Sequence, residues 1–184
     1  NSTSCSSENS VIILDDVYDA AVAALEAAGG YLCSADEKDM IERTLWTDGH
    51  LNRRVIAKDA PVFAAECGLA AAPKSAKFFM VEETGADSPF ADEKLSLVLT
   101  VYRAADFGAA FDQVLAVLNV CGSGHSVGIH SHDEGNIRRL AHDLDVVRVL
   151  VNQAHTFGNG GSFTNGLNFT LSVGCGTWAG NSIS

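Results

Sequence analysis

Cys5 stands among Ser4, Ser6, Ser7 and Glu8, a polar setting in which a thiolate can meet a substrate. Thiolates are the reactive form, so exposure and local charge decide which cysteine does chemistry. Cys33 (in Tyr-Leu-Cys-Ser) and Cys67 (in Ala-Ala-Glu-Cys-Gly-Leu) keep apolar company and read as small buried hydrophobes. Cys121 and Cys175 complete a scattered set of five without a Cys-x-x-Cys pair, which excludes zinc ribbons and thioredoxin-type redox motifs. An odd, dispersed set fits a reducing cytoplasm. His125 follows Gly122-Ser123-Gly124, where a strand should begin. An imidazole titrates near neutrality, so His125 is a candidate acid or base. His130 and His132 flank Ser131 on one face, but no further ligand falls at a recognisable spacing, and no metal is assigned. By composition alone Glu93, in Phe-Ala-Asp-Glu-Lys-Leu, is a solvated carboxylate.

These residues need a scaffold, and the hydrophobic pattern predicts one. Val11–Leu14 is an aliphatic run fit for a buried strand. Asp15 and Asp16 offer caps to a helix carrying Val17, Ala21, Ala24, Leu25 and Ala28, which Gly29-Gly30 ends. Tyr31–Cys33 reads as a short strand, and 35–46 as a helix with Met40, Ile41 and Leu45 on one face. Pro61 can open a helix at its first turn. Strands are predicted at 77–81 and 95–102, a helix at 105–119, and a strand at 126–130. A helix capped by Asp133 and a strand at 146–151 follow. Strand and helix alternate, which predicts an α/β fold: a mainly parallel sheet flanked by helices, holding the strands near 11–14, 78–81, 97–102, 126–130 and 147–151 together. From 157 onward helical periodicity stops, and seven glycines accompany Phe163, Leu167, Phe169, Leu171 and Trp178. This stretch matches neither a Walker loop nor the Gly-x-Gly-x-x-Gly fingerprint.

The chain has 184 residues, 47% of them hydrophobic, and a formal charge of −11. That composition excludes a disordered chain. The longest obvious aliphatic run is far short of a membrane span. The acidic balance argues against nucleic acid or an anionic membrane surface as the main partner.

Four blocks, in order, resemble the CoA-acylating aldehyde dehydrogenases. Ser4-Cys5-Ser6-Ser7-Glu8-Asn9-Ser10, followed by a hydrophobic strand and Asp-Val-Tyr-Asp, resembles their catalytic-cysteine segment. Phe90-Ala91-Asp92-Glu93-Lys94-Leu95-Ser96 with Tyr102-Arg103-Ala104-Ala105-Asp106-Phe107 looks like the next block. Gly122-Ser123-Gly124-His125-Ser126 resembles the glycine-His block, and Gly174 to Ser184 the C-terminal signature. Leu97 departs from the family, which usually has Pro after Lys-Leu-Ser.

The resemblance implies the catalytic domain of the aldehyde dehydrogenase fold. Cys5 would attack an aldehyde and form a thioester, His125 would move protons in the thiol steps, and Glu93 would bind the nicotinamide ribose. NAD or NADP would accept hydride, and coenzyme A would take the acyl group. The family also implies a nucleotide-binding domain N-terminal to the cysteine. Residues 1–184, which open without Met, are then expected to be a cysteine-bearing piece of a longer, homo-oligomeric, cytoplasmic enzyme. Such a piece is expected to fold without turning over, and Cys5, Glu93 and His125 are expected to border one cleft. Asn152–Gly158 with Gly161–Leu167 resembles the sulfoacetaldehyde branch, where His155 and glycine-rich backbone could meet a sulfonate. Two alternatives stay open: a hydrolytic aldehyde dehydrogenase, and a catalytically silent α/β binding module in which Cys5 is incidental.

Overall fold

The computed structural model describes residues 7–120 and 122–169. Among the described residues, one compact unit is built on 9–117 and a second on 7–8, 118–120 and 122–169.

The first unit is organised by four parallel strands: β1 (Ser10–Leu14), β2 (Gly30–Leu32), β5 (Phe78–Glu83) and β6 (Val98–Ala104), in the order β1-β6-β5-β2. Phe79, Met80 and Val81 of β5 are all buried, as a parallel strand covered on both faces requires. Their alternation sends Phe79 and Val81 into one cluster and Met80 into another. Helix α1 (Tyr18–Ala27) covers the Met80 face through Tyr18 and Val22. Helices α2 (Ala35–Leu45) and α3 (Ala60–Cys67) cover the other through Ile41, Leu45, Phe63 and Cys67. A small hairpin, β3 (Trp46–Thr47) with β4 (His50–Leu51), links α2 to α3, and α4 (Phe107–Leu118) follows β6.

Ser34 and Glu37 form a reciprocal capping box at the start of α2. Glu37 also accepts from the Tyr31 hydroxyl at 3.0 Å, tying the helix to β2. Ser34→Ala should cost about 1 kcal/mol, read as a lower urea midpoint at unchanged slope. An unchanged midpoint would mean that the box contributes nothing.

The second unit pairs β7 (Gly124–Ile129) in parallel with β8 (Val146–Val151), crossing over through α5 (Glu134–Asp143). Asp133 caps α5 by accepting from Asn136 N at 2.9 Å. Helix α6 (His155–Asn159) follows β8. Asn152, at φ 53, accepts from Ser131 N and donates to Ser131 O, both at 2.9 Å, clasping the strand ends. Among the described residues no helix is long and apolar enough to cross a membrane.

The α/β class and its parallel pairing agree with the sequence pattern, but three details differ. The five expected strands fall into two ladders, β1, β5 and β6 in one and β7 and β8 in another. Burial alternation is a local property and does not specify a strand's partner. Asp15 and Asp16 do not cap α1; they lie in a 3-10 turn before it, and Asp15 instead pairs with Arg103 of β6. Finally, β6 begins at Val98, because Leu95 adopts φ 44 and Lys94 turns inward.

Candidate active site

Cys5 lies outside the described residues, as do Cys121, Cys175 and the C-terminal signature. Glu93 belongs to the first unit and His125 to the second.

His125 is held at the start of β7, half-buried. Its Nδ1 lies 2.7 Å from Ser126 Oγ, and the same oxygen lies 2.7 Å from His155 Nε2. Asn159 Nδ2 donates to that oxygen at 3.2 Å. Two imidazoles and an amide thus converge on one hydroxyl. The local sequence explains the approach. Ser126 and Gly128 share one face of β7, being two residues apart. A side chain at 128 would bring its Cβ to 3.2 Å from His155 Nδ1, so glycine leaves space for the ring. A Cβ at Gly158 would sit 3.1 Å from Leu150 of β8, so glycine also lets α6 lie close. Glu8, three residues after Cys5, accepts from His155 N at 2.7 Å. Glu8 is thereby tied to α6.

Burial lowers the His155 pKa, with the His125 and His130 charges adding to that and Glu8 opposing. His155 is therefore neutral near pH 7 and already engaged through Nε2.

Glu93 is exposed, in the loop between the Pro89–Ala91 turn and β6. Its neighbour Lys94 is 1% exposed. Lys94 Nζ donates to Phe90 O at 2.7 Å and Asp92 O at 3.3 Å. Each carbonyl has a second donor: Thr100 Oγ1 for Phe90 O (2.7 Å) and Asn9 Nδ2 for Asp92 O (2.9 Å). The loop is knotted beneath Glu93, while the carboxylate faces solvent. An outward carboxylate on a fixed loop suits the paired hydroxyls of a ribose, which need an acceptor. Burial lowers the Lys94 pKa to about 7, with Asp92 opposing. A neutral amine still has two hydrogens for two carbonyls.

Cys33 and Cys67 are buried free thiols. Burial pushes them up to about 12 and about 11, which leaves them unreactive at neutral pH. The sequence singled out His125, Glu93 and His155 but not the Ser126 and Asn159 junction. No sequence signal joins Ser126 to His155 across 29 residues; only the β7-α5-β8 crossover does.

No family model matches the chain. It is 46% identical over 187 residues to sulfoacetaldehyde dehydrogenase (acylating) of Cupriavidus necator, covering all of this chain and 38% of the relative. It is 38% identical over 189 residues to the enzyme of the same name from Bilophila wadsworthia, covering 99% of this chain and 40% of the relative. The crystal structure of an acetylating aldehyde dehydrogenase from Geobacillus thermoglucosidasius superimposes with a TM-score of 0.83 at 32% identity, covering 89% of this chain and 36% of that one. The chain thus spans about two fifths of the length of the curated relatives it matches. By sequence along its whole length and by fold, the chain is similar to the acylating aldehyde dehydrogenases.

Proposed function

We propose that residues 1–184 are the cysteine-bearing catalytic domain of a longer enzyme that oxidises an aldehyde to an acyl-CoA. The observation that carries this reading is the whole-length similarity to two enzymes named as acylating. The half-buried His125, built into a hydrogen-bonded junction in the unit that includes Glu8, supports it from the structure.

Cys5 is the nucleophile. Its thiolate adds to the aldehyde carbon and places the charge on oxygen, where the Cys5 backbone N–H can donate. After hydride leaves the carbon, sulfur holds the acyl group as a thioester. CoA sulfur then displaces Cys5 sulfur, and His125 takes the thiol proton. NAD or NADP, when bound, supplies the hydride acceptor. Glu93 would hold its ribose hydroxyls, which fits the exposed carboxylate on its fixed loop.

Sulfoacetaldehyde is the proposed substrate, supported by the names of the two relatives at 46% and 38% identity. The reading includes a cytoplasmic, homo-oligomeric parent enzyme, and the buried free thiols Cys33 and Cys67 are in keeping with a reducing compartment.

The test is nicotinamide reduction, followed by absorbance, in the protein from the full reading frame that contains this sequence. Sulfoacetaldehyde and acetaldehyde are compared with and without CoA. Sustained turnover is expected only with CoA, and faster with sulfoacetaldehyde. Sustained turnover without CoA would support the hydrolytic alternative, and no reduction under any condition the silent module.

A further inference from the structure

We propose that Ser126 and His155 are positioning residues that couple the proton on His125 to a second imidazole, so that one facing ring nitrogen donates while the other accepts. The inference rests on the acylating reading for its catalytic consequence and on the junction itself for its geometry.

Ser126 Oγ has one hydrogen to give and two lone pairs to fill. Asn159 Nδ2 can only donate, and it fills one lone pair from 3.2 Å. One lone pair and one hydrogen are left for the two ring nitrogens at 2.7 Å, His125 Nδ1 and His155 Nε2. If His125 Nδ1 carries a proton, it donates to Ser126, and Ser126 donates to His155 Nε2. If Ser126 instead donates to His125 Nδ1, His155 Nε2 must carry the proton. Protonating both facing nitrogens would aim three donors at one oxygen and leave the hydroxyl hydrogen without an acceptor. Asn159 is 1% exposed and stays at the junction, where turning its amide over, so that Oδ1 accepts the Ser126 hydrogen, is a rearrangement that would let both facing nitrogens donate; two protonated facing nitrogens in the wild type would therefore overturn the coupling.

The first arrangement leaves His125 Nε2 with a lone pair. When CoA sulfur attacks the thioester, the thiol proton passes to His125 Nε2 and the S–H electron pair forms the new sulfur–carbon bond. The Cys5 sulfur–carbon pair returns to Cys5. His125 is then an imidazolium whose Nδ1–H stays on Ser126, and the Ser126 hydrogen stays on neutral His155. The second arrangement puts the proton on His125 Nε2, which suits the reverse direction, where CoA sulfur leaves and is protonated. Burial of His155 keeps it neutral and able to accept. Glu8, His125 and His130 are the charged or titratable groups that act on it.

The test compares the full-reading-frame protein with Ser126→Ala, Ser126→Thr and His155→Ala, with near-ultraviolet circular dichroism to confirm folding. The first readout needs no activity: nitrogen-15 spectra of the histidine rings across pH. In the wild type, one of His125 Nδ1 and His155 Nε2 should be protonated and the other not. In Ser126→Ala both signals should move and the His125 pKa should fall by at least half a pH unit. The second readout is the pH profile of kcat/KM for CoA. Losing a hydrogen bond to the charged ring should lower it about 10-fold or more in Ser126→Ala and shift its acidic limb to lower pH. His155→Ala should move the same limb, and Ser126→Thr should restore it. Unchanged ring signals and pKa in a folded Ser126→Ala protein would overturn the coupling, whatever the enzyme does. Absent turnover in the wild type, with the ring signals coupled, would overturn the acylating reading and leave the coupling standing.

Discussion

Cys5→Ser is expected to lower acyl-CoA formation by roughly 10³- to 10⁶-fold in the full-reading-frame protein, the range seen when a covalent nucleophile is removed. An alcohol near neutral pH is a far weaker nucleophile than a thiolate, and an oxygen ester is a poorer acyl donor to CoA than a thioester. The loss should fall on kcat. Nicotinamide affinity should hold, because Glu93 and its loop, knotted by Lys94 to Phe90 O and Asp92 O, are untouched. Neither Cys33 nor Cys67 can substitute, because burial raises both thiols far above neutrality. Reduction assays with CoA, together with nicotinamide titration, check both halves. Full turnover by Cys5→Ser would remove the mechanism.

Lys94→Ala should destabilise the chain by about 2–4 kcal/mol, whereas Lys94→Met should cost about 1.5 kcal/mol or less. Alanine empties a fully buried site. Methionine keeps most of the volume, and Phe90 O and Asp92 O keep Thr100 and Asn9 as donors. Lysine brings a pH dependence that methionine lacks. Its pKa falls from an ordinary 10.5 to about 7 on folding. Between those values the unfolded chain holds the proton and the folded chain does not, so stability rises with pH by about 1.4 kcal/mol per unit. Below pH 7 both states are protonated and the dependence ends. Urea unfolding from pH 6 to 9 should show wild type gaining about 2 kcal/mol over Lys94→Met across pH 7 to 9. A constant difference would mean that Lys94 stays charged in the fold.

The places where sequence reading held and failed share a physical logic. The apolar run at 77–81 announced a strand, and α2 and β8 were legible as elements from their local hydrophobic patterns. Asp133 was legible as a cap because capping acts over three residues. Asp15 misled because its partner, Arg103, lies 88 residues away on the adjacent strand. Lys94 gave no warning, since a lysine in a polar segment ordinarily faces water. Its burial rests on the Phe90, Asp92 and Thr100 groups that the fold gathers around it. His125 and Glu93 were picked out as candidates by the blocks that contain them. The Ser126 junction was not, because Ser126, His155 and Asn159 meet only after β7 and β8 pair and Gly158 lets α6 settle.

The central claim is that Cys5 carries the acyl group to CoA. Peptide mass spectrometry tests it most directly. The full-reading-frame protein is mixed with aldehyde and NAD or NADP, quenched before and after CoA is added, and digested. The account predicts an acyl group on the Cys5 peptide alone, lost within seconds of CoA addition as acyl-CoA appears. An unmodified Cys5 peptide during active nicotinamide reduction, or an acyl group that water removes as fast as CoA does, would contradict it.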